Sequence, residues 1–298
     1  MPTFLTLADG VAEAVVVPDL GAGLATYDLM AVGKRLPLFR SCRTISSAGP
    51  FDLANNLLLP WSNRISNRGF HFAGKFHPLE PNLPGEPCPI HGNGFSSVWT
   101  VETVAAARVE LSLTSDGPGS FRYAARASYA LDAGALTMTL AVVNRAAEPM
   151  PFGLGFHPWI VRTHETFLQA EAERIVLETN DHLPALEAEA SARPEWNFAS
   201  PRGLPRGWIN NAFLGWNGRA NVLWLDRKLA LEIEADPPLR IYILYSPSAK
   251  ADFFCFEPVT HPVDAHNGPG GPEVNSLAVL APGESLSATC RFLPRRVG

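Results

Sequence analysis

The stretch that decides the fold is FRYAARASYALDAGALTMTLAVVN, residues 121–144 of a 298-residue chain. Phe121, Tyr123, Ala125, Ala127, Tyr129 and Leu131 alternate with smaller or polar residues, and a period of two predicts a strand with one buried face. Asp132-Ala133-Gly134 supplies turn chemistry. Leu136, Met138, Leu140 and Val142 then alternate with Thr137, Thr139 and Ala141, so the whole segment predicts a β-hairpin.

Working outward, similar short runs predict strands at 14–17, 98–104, 109–114, 221–225, 229–235, 239–246, 252–257, 277–280 and 286–292. The 24 glycines and 27 prolines cannot sit inside many long helices or central strands, which favours an all-β sandwich or barrel with many turns. The one helical candidate is 186–196, interrupted by Pro194. Stretches 55–89 and 180–211 are rich in Pro, Gly and Asn and are expected to be long loops over a sheet face, the first carrying binding surface. Without a linker-like segment or an internal repeat, residues 1–298 are expected to form a single domain.

With 46% hydrophobic and 18% charged residues the chain is too apolar for a disordered protein, and its net charge of −5 gives no reason to expect nucleic acid or an anionic membrane as partner. Cys42, Cys88, Cys255 and Cys290 form no C-x-x-C pair, so reduced thiols are expected. The first ten residues carry no basic segment followed by an apolar one, and no run of about 18 apolar residues occurs anywhere. A cytoplasmic location is the expectation.

Gly21-Ala22-Gly23 and Gly153-Leu154-Gly155 lack the third glycine and the following helix of a nucleotide loop, and read as turns. No G-x-S-x-G or H-E-x-x-H occurs. What stands out instead is a set of polar residues in apolar or glycine-rich surroundings: Arg64 beside Asn63, His91, His157 ahead of Pro158-Trp159, and Glu257 ending Phe253-Phe254-Cys255-Phe256. A partly buried Glu257 would have a raised pKa, useful to a general base, and His157, held at a strand end, suits a general acid. Arg64 and Asn63 offer fixed donors, while Trp61 and Trp159 offer flat faces to a sugar ring. Each also has a plainer reading: a strand glutamate reaching solvent, satisfied structural histidines, a surface ion pair, core tryptophans. His91, His157, His261, His266 and Glu257 could ligate a metal, but no His-x-His pair supports that and no metal is expected.

Taken in order, Leu59-Pro60-Trp61-Ser62-Asn63-Arg64-Ile65, Ile90-His91-Gly92, Phe156-His157-Pro158-Trp159, Phe213-Leu214-Gly215-Trp216-Asn217-Gly218 and Phe253-Phe254-Cys255-Phe256-Glu257-Pro258 with Asp264-Ala265-His266-Asn267 resemble the aldose 1-epimerases, the galactose mutarotases. The resemblance covers nearly the whole chain and implies a β-supersandwich of antiparallel strands with the sugar site on a concave face. It implies that Glu257 takes the proton of the anomeric hydroxyl, that His157 protonates the ring oxygen, that Arg64 and His91 bind sugar, and that no metal or organic cofactor is needed. It departs from the family at Asn210, where an aspartate usually accepts sugar hydroxyls; an amide loses the charge and one acceptor and gains two donors.

The expected substrate is a free hexose or related aldose, the protein a monomer or homodimer. A hexose-phosphate 1-epimerase would need extra cations, for which Arg35, Arg40, Arg43, Arg68 and Lys75 are candidates. A non-catalytic sugar-binding protein on the same fold is the rival of another class. The acid and base are expected on opposite sides of a space as wide as a sugar ring.

Overall fold

In a computed structural model that describes residues 2–31, 34–42 and 49–297, the 121–144 segment is the hairpin its alternation predicts. Tyr123–Asp132 pairs antiparallel with Ala135–Asn144 in a register that sets Leu131 opposite Leu136, Tyr129 opposite Met138 and Ala127 opposite Leu140. Ala133 (φ 49°) and Gly134 (φ 86°) form the two-residue loop between them; positive φ at both central positions is what a tight hairpin requires.

This hairpin lies inside a nine-stranded antiparallel sheet that runs Arg202–Gly203, Thr166–Gln169, Arg219–Trp224, Leu229–Ala235, Ser285–Arg296, Ala135–Asn144, Tyr123–Asp132, Arg108–Ser115, Thr100–Ala105. The second large sheet runs Leu5–Ala8, Ala12–Val17, Gly23–Ala31, Asn55–Leu58, Gly155–Val161, Phe253–Val259, Ile241–Ser246, Ile209–Leu214, Arg174–Glu178, Pro184–Glu189, with Lys34–Pro37 attached to Gly23–Ala31. One buried cluster joins them: Tyr27, Phe156, Phe213, Tyr242, Phe254 and Phe256 from one sheet meet Tyr129, Met138, Leu140, Leu231 and Phe292 from the other. Burying each such aromatic contributes about 1.5–3 kcal/mol of transfer free energy.

Strand geometry then places the candidate residues. Side chains alternate between faces, so where Phe254 and Phe256 enter the inter-sheet core, Cys255 and Glu257 must face the other way. Phe156 and Ile160 likewise turn His157 and Trp159 outward, Tyr242 and Leu244 turn out Ile243 and Tyr245, and Phe213 turns out Asn210 and Ala212. Glu257 and His157 therefore stand inside the seven-residue strands Phe253–Val259 and Gly155–Val161, not at their ends as the sequence suggests.

Two expectations need correction. Residues 186–196 are not helical: Pro184–Glu189 is an edge strand paired with Arg174–Glu178, and Ala190–Ala192 and Pro194–Trp196 are single 3-10 turns. Among the described residues no α-helix forms. Nor are 55–89 and 180–211 simple loops, because they contain Asn55–Leu58, the hairpin Gly69–Phe72 with Lys75–Pro78, Pro184–Glu189, Arg202–Gly203 and the start of Ile209–Leu214. Asn55–Leu58 is the strand beside His157, pairing His157 with Asn56.

Candidate active site

Asn63, Arg64, His91, His157, Trp159, Asn210 and Glu257 all line one open cavity of about 280 Å³, completed by Phe51, Glu86, His182, Trp208 and Tyr245. A larger cavity of about 840 Å³ lies between Arg174, Leu214, Ile241 and the loop carrying Val274, and among the described residues no histidine lines it.

His157 Nε2 and Glu257 Oε1 are 3.4 Å apart on neighbouring strands, at 7% and 3% side-chain exposure. They share the floor of the cavity, contrary to the expectation that they face each other across it. Burial raises the Glu257 carboxyl to about 8, with Arg64 pulling the other way, and burial lowers His157 to about 3, with Arg40 adding to the shift. Glu257 Oε2, His157 Nδ1, Trp159 Nε1 and both polar atoms of Asn56 are buried without a hydrogen-bond partner among the described residues. Such groups are costly unless a ligand or solvent satisfies them, and they crowd around His157 and Glu257.

The loop from Trp61 to Ile65 supplies the flank. Asn63 adopts φ 59° and His91 adopts φ 59°, so that each backbone serves the other: Asn63 N–H donates to His91 Nδ1 at 2.9 Å and His91 N–H donates to Asn63 O at 3.0 Å. With Nδ1 accepting, the His91 proton belongs on Nε2, and burial holds the ring neutral, well below its ordinary pKa. Behind the loop, His261 accepts from Ser62 N–H at 3.1 Å through Nε2 and donates to Pro262 O at 2.8 Å through Nδ1. His266 contacts Pro151 O at 3.1 Å, so these two histidines are scaffold.

Arg64 is bound bidentately by Glu86 (Nε to Oε2 2.9 Å, Nη2 to Oε1 2.8 Å), so it enters the cavity already neutralised. Trp61 is fully buried against Phe121 and is core, not a sugar platform. Trp159 is stacked by His157 (ring centroids 5.2 Å, 15° between planes) and by the Arg40 guanidinium at 3.9 Å, so it backs the imidazole. The exposed aromatic of the cavity is Trp208, which is 49% exposed. Asn210 uses Nδ2 to reach Glu178 Oε2 at 2.7 Å, so one of the two donors that an amide brings is already taken.

His157, Cys255 and Glu257 place ligand atoms within 4.8 Å of one another and could hold a metal ion. A search for histidine pairs on one strand passes over this set, because its ligands are Cys-x-Glu on one strand and a histidine on the next. Glu86, Glu178, His182, Trp208 and Tyr245 also escape sequence reading, since their meeting depends on strand order rather than spacing.

The profile of the Aldose 1-epimerase family matches residues 3–293. The chain is 34% identical to an uncharacterised Escherichia coli (strain K12) protein, YphB, over 78% of this chain and 80% of that one. Its structure superposes with a TM-score of 0.91 on an Escherichia coli K12 protein provisionally described as an aldose 1-epimerase, 30% identical with all of both chains covered. A galactose mutarotase-like protein of Clostridium acetobutylicum shares the fold (TM-score 0.81, 19% identity, 98% of this chain and 95% of that one). The chain belongs to the aldose 1-epimerase family and has its antiparallel, galactose mutarotase-like β fold.

Proposed function

We propose that the protein is a mutarotase that interconverts the α and β anomers of an unphosphorylated aldose. The observation that carries this reading is the buried pair on the cavity floor, His157 Nε2 and Glu257 Oε1 at 3.4 Å, with Glu257 Oε2 unpartnered beside it.

Ring opening moves two protons at oxygens bonded to the same carbon, so groups a few ångströms apart on one side of the sugar suit it. Glu257 accepts the proton of the C1 hydroxyl while the electron pair of the C1–O5 bond goes to O5, which takes a proton from His157; C1 becomes an aldehyde. Rotation about C1–C2 presents the other carbonyl face. Reclosure returns one proton to His157 and the other, from Glu257, to O1. The pair carries one proton throughout. Burial favours that proton on Glu257, and ring opening needs it on His157, a transfer across 3.4 Å that leaves the total unchanged.

Lack of a free cation supports an uncharged substrate. Arg64 is the one lysine or arginine among the described residues of the cavity lining, and Glu86 holds it. Of the other candidates, Arg35 meets Glu13, Arg68 meets Glu80, Lys75 meets Glu148, and Arg40 packs beneath Trp159; Arg43 lies outside the described residues. The test is polarimetry or anomer-resolved NMR of freshly dissolved α-glucose and α-galactose. Acceleration is expected. A wild type that binds a monosaccharide calorimetrically yet accelerates none would favour the sugar-binding reading.

A further inference from the structure

At the far end of the cavity from the acid and base pair stands a carboxylate with three donors. Glu178 ends the strand Arg174–Glu178 at a register shift. Its Oε2 accepts from Asn210 Nδ2 at 2.7 Å and lies 2.7 Å from His182 Nδ1, while its Oε1 accepts from the Trp208 indole Nε1. Asn210, His182 and Trp208 all line the cavity. Glu178, with 16% of its side chain exposed, lies behind them. The wall is braced further by Trp208, which stacks on His182 (5.5 Å, 29°) and meets Tyr245 edge-on (5.1 Å, 76°).

Register places this wall away from the chemistry. Asn210 is paired with Tyr245, and Tyr245 with Cys255 on the strand of Glu257, so the Asn210 strand lies two spacings, about 10 Å, from it. An ionised carboxylate only accepts, so Asn210 must turn Nδ2 toward Glu178, which leaves the amide oxygen for the cavity.

We propose that Glu178 is a positioning residue that sets sugar preference: by taking one donor from each of Asn210, His182 and Trp208, it makes the wall present the Asn210 carbonyl to a hydroxyl donor on a carbon remote from C1. The inference rests on the mutarotase reading and names its substrate class, neutral aldoses that carry such a hydroxyl. It also reverses a simple expectation about position 210. Asn210→Asp would set two carboxylates about 2.7 Å apart, so that one must hold a proton or both must separate.

The experiment is a reciprocal swap, read by mutarotation kinetics and by quenching of tryptophan fluorescence with glucose, galactose and xylose. Glu178→Gln offers one acceptor where three donors converge; KM is expected to rise about tenfold with kcat within about twofold, an unchanged pH profile and an altered sugar ranking. Asn210→Asp alone is expected to bind sugar more weakly than wild type, because two carboxylates then meet at the wall. Glu178→Gln with Asn210→Asp rebuilds a carboxylate and amide pair with the charge moved, and KM is expected to return to within about threefold of wild type. Single variants that keep the wild-type KM and ranking overturn the proposal. So does a loss in kcat and thermal stability that the swap leaves unrepaired. Fluorescence separates the two levels: a wild type that binds aldoses without turning them over sinks the mutarotase reading while still testing the wall, and one that does neither sinks both.

Discussion

Glu257 loses its proton near pH 8 and His157 gains a second proton for the pair near pH 3, so between these limits the pair holds the single proton that ring opening requires. Mutarotation should be flat from about pH 5 to 7.5 and fall above about 8, as the last proton leaves. A rate that rises through pH 8 to 9 would contradict this. Glu257→Gln and His157→Asn should each lower kcat about 10² to 10⁴-fold, with much smaller changes in KM. The same shift makes a stability statement. In the unfolded chain Glu257 ionises near 4.5 and in the folded one near 8, so across that window this group holds more proton in the folded state and its own contribution to stability falls as pH rises. The buried His91, His157, His261 and His266, all lowered by burial, act in the opposite direction below about 6.5 and are common to both proteins compared. Thermal melts of Glu257→Gln should therefore gain on wild type from pH 5 to pH 8. A constant difference across that range would mean that Glu257 is solvated.

Elements carry the site, and Gly153 shows how. Its N–H donates to Pro60 O at 2.8 Å, and a Cβ there would lie 2.0 Å from His261 Cδ2, the ring that accepts from Ser62 N–H. Gly153→Ala should cost about 1–3 kcal/mol by overpacking and, by shifting His261, loosen the loop that carries Asn63 and Arg64. A lowered Tm together with a raised KM checks it, and a lowered Tm alone would detach His261 from the site. Legibility also divides by element. Strands with one polar face, such as 121–144, announce themselves by alternation. Gly155–Val161 does not, because six of its seven residues are buried and Gly155 and Pro158 interrupt any pattern. The helix formers Ala, Leu and Glu at 185–190 favour a helix locally, and pairing with Arg174–Glu178 overrides that preference. Arg64, His91, His157 and Glu257 are legible because they sit oddly in apolar or glycine-rich strings. Glu178 is not: its three donors come from positions 182, 208 and 210, and only strand order brings the last two to it.

At the scale of the whole molecule, charge and cavity act in the same direction on the substrate. The chain carries a net charge of −5, and Glu178 lies directly behind the cavity wall, while Glu86 and Arg64 neutralise each other and Glu257 keeps its proton up to about pH 8. A phosphoryl group entering there would bring about −1.5 to −2 charges close to the Glu178 carboxylate, into a concave region with no free cation among the described residues. Like charges so placed cost several kcal/mol, so kcat/KM for glucose 6-phosphate should fall at least about 100-fold below that for glucose. Because part of that penalty acts through solvent during approach, raising ionic strength from about 0.05 to 0.5 M should narrow the gap while leaving the glucose rate nearly unchanged. Glu86→Gln sharpens the test. It frees the Arg64 guanidinium as an anion partner, so it should improve the phosphorylated sugar relative to glucose. If wild type turns over the phosphorylated sugar as well as the free one, with no dependence on salt, then the acidic wall does not select by charge and the hexose-phosphate reading replaces the neutral one.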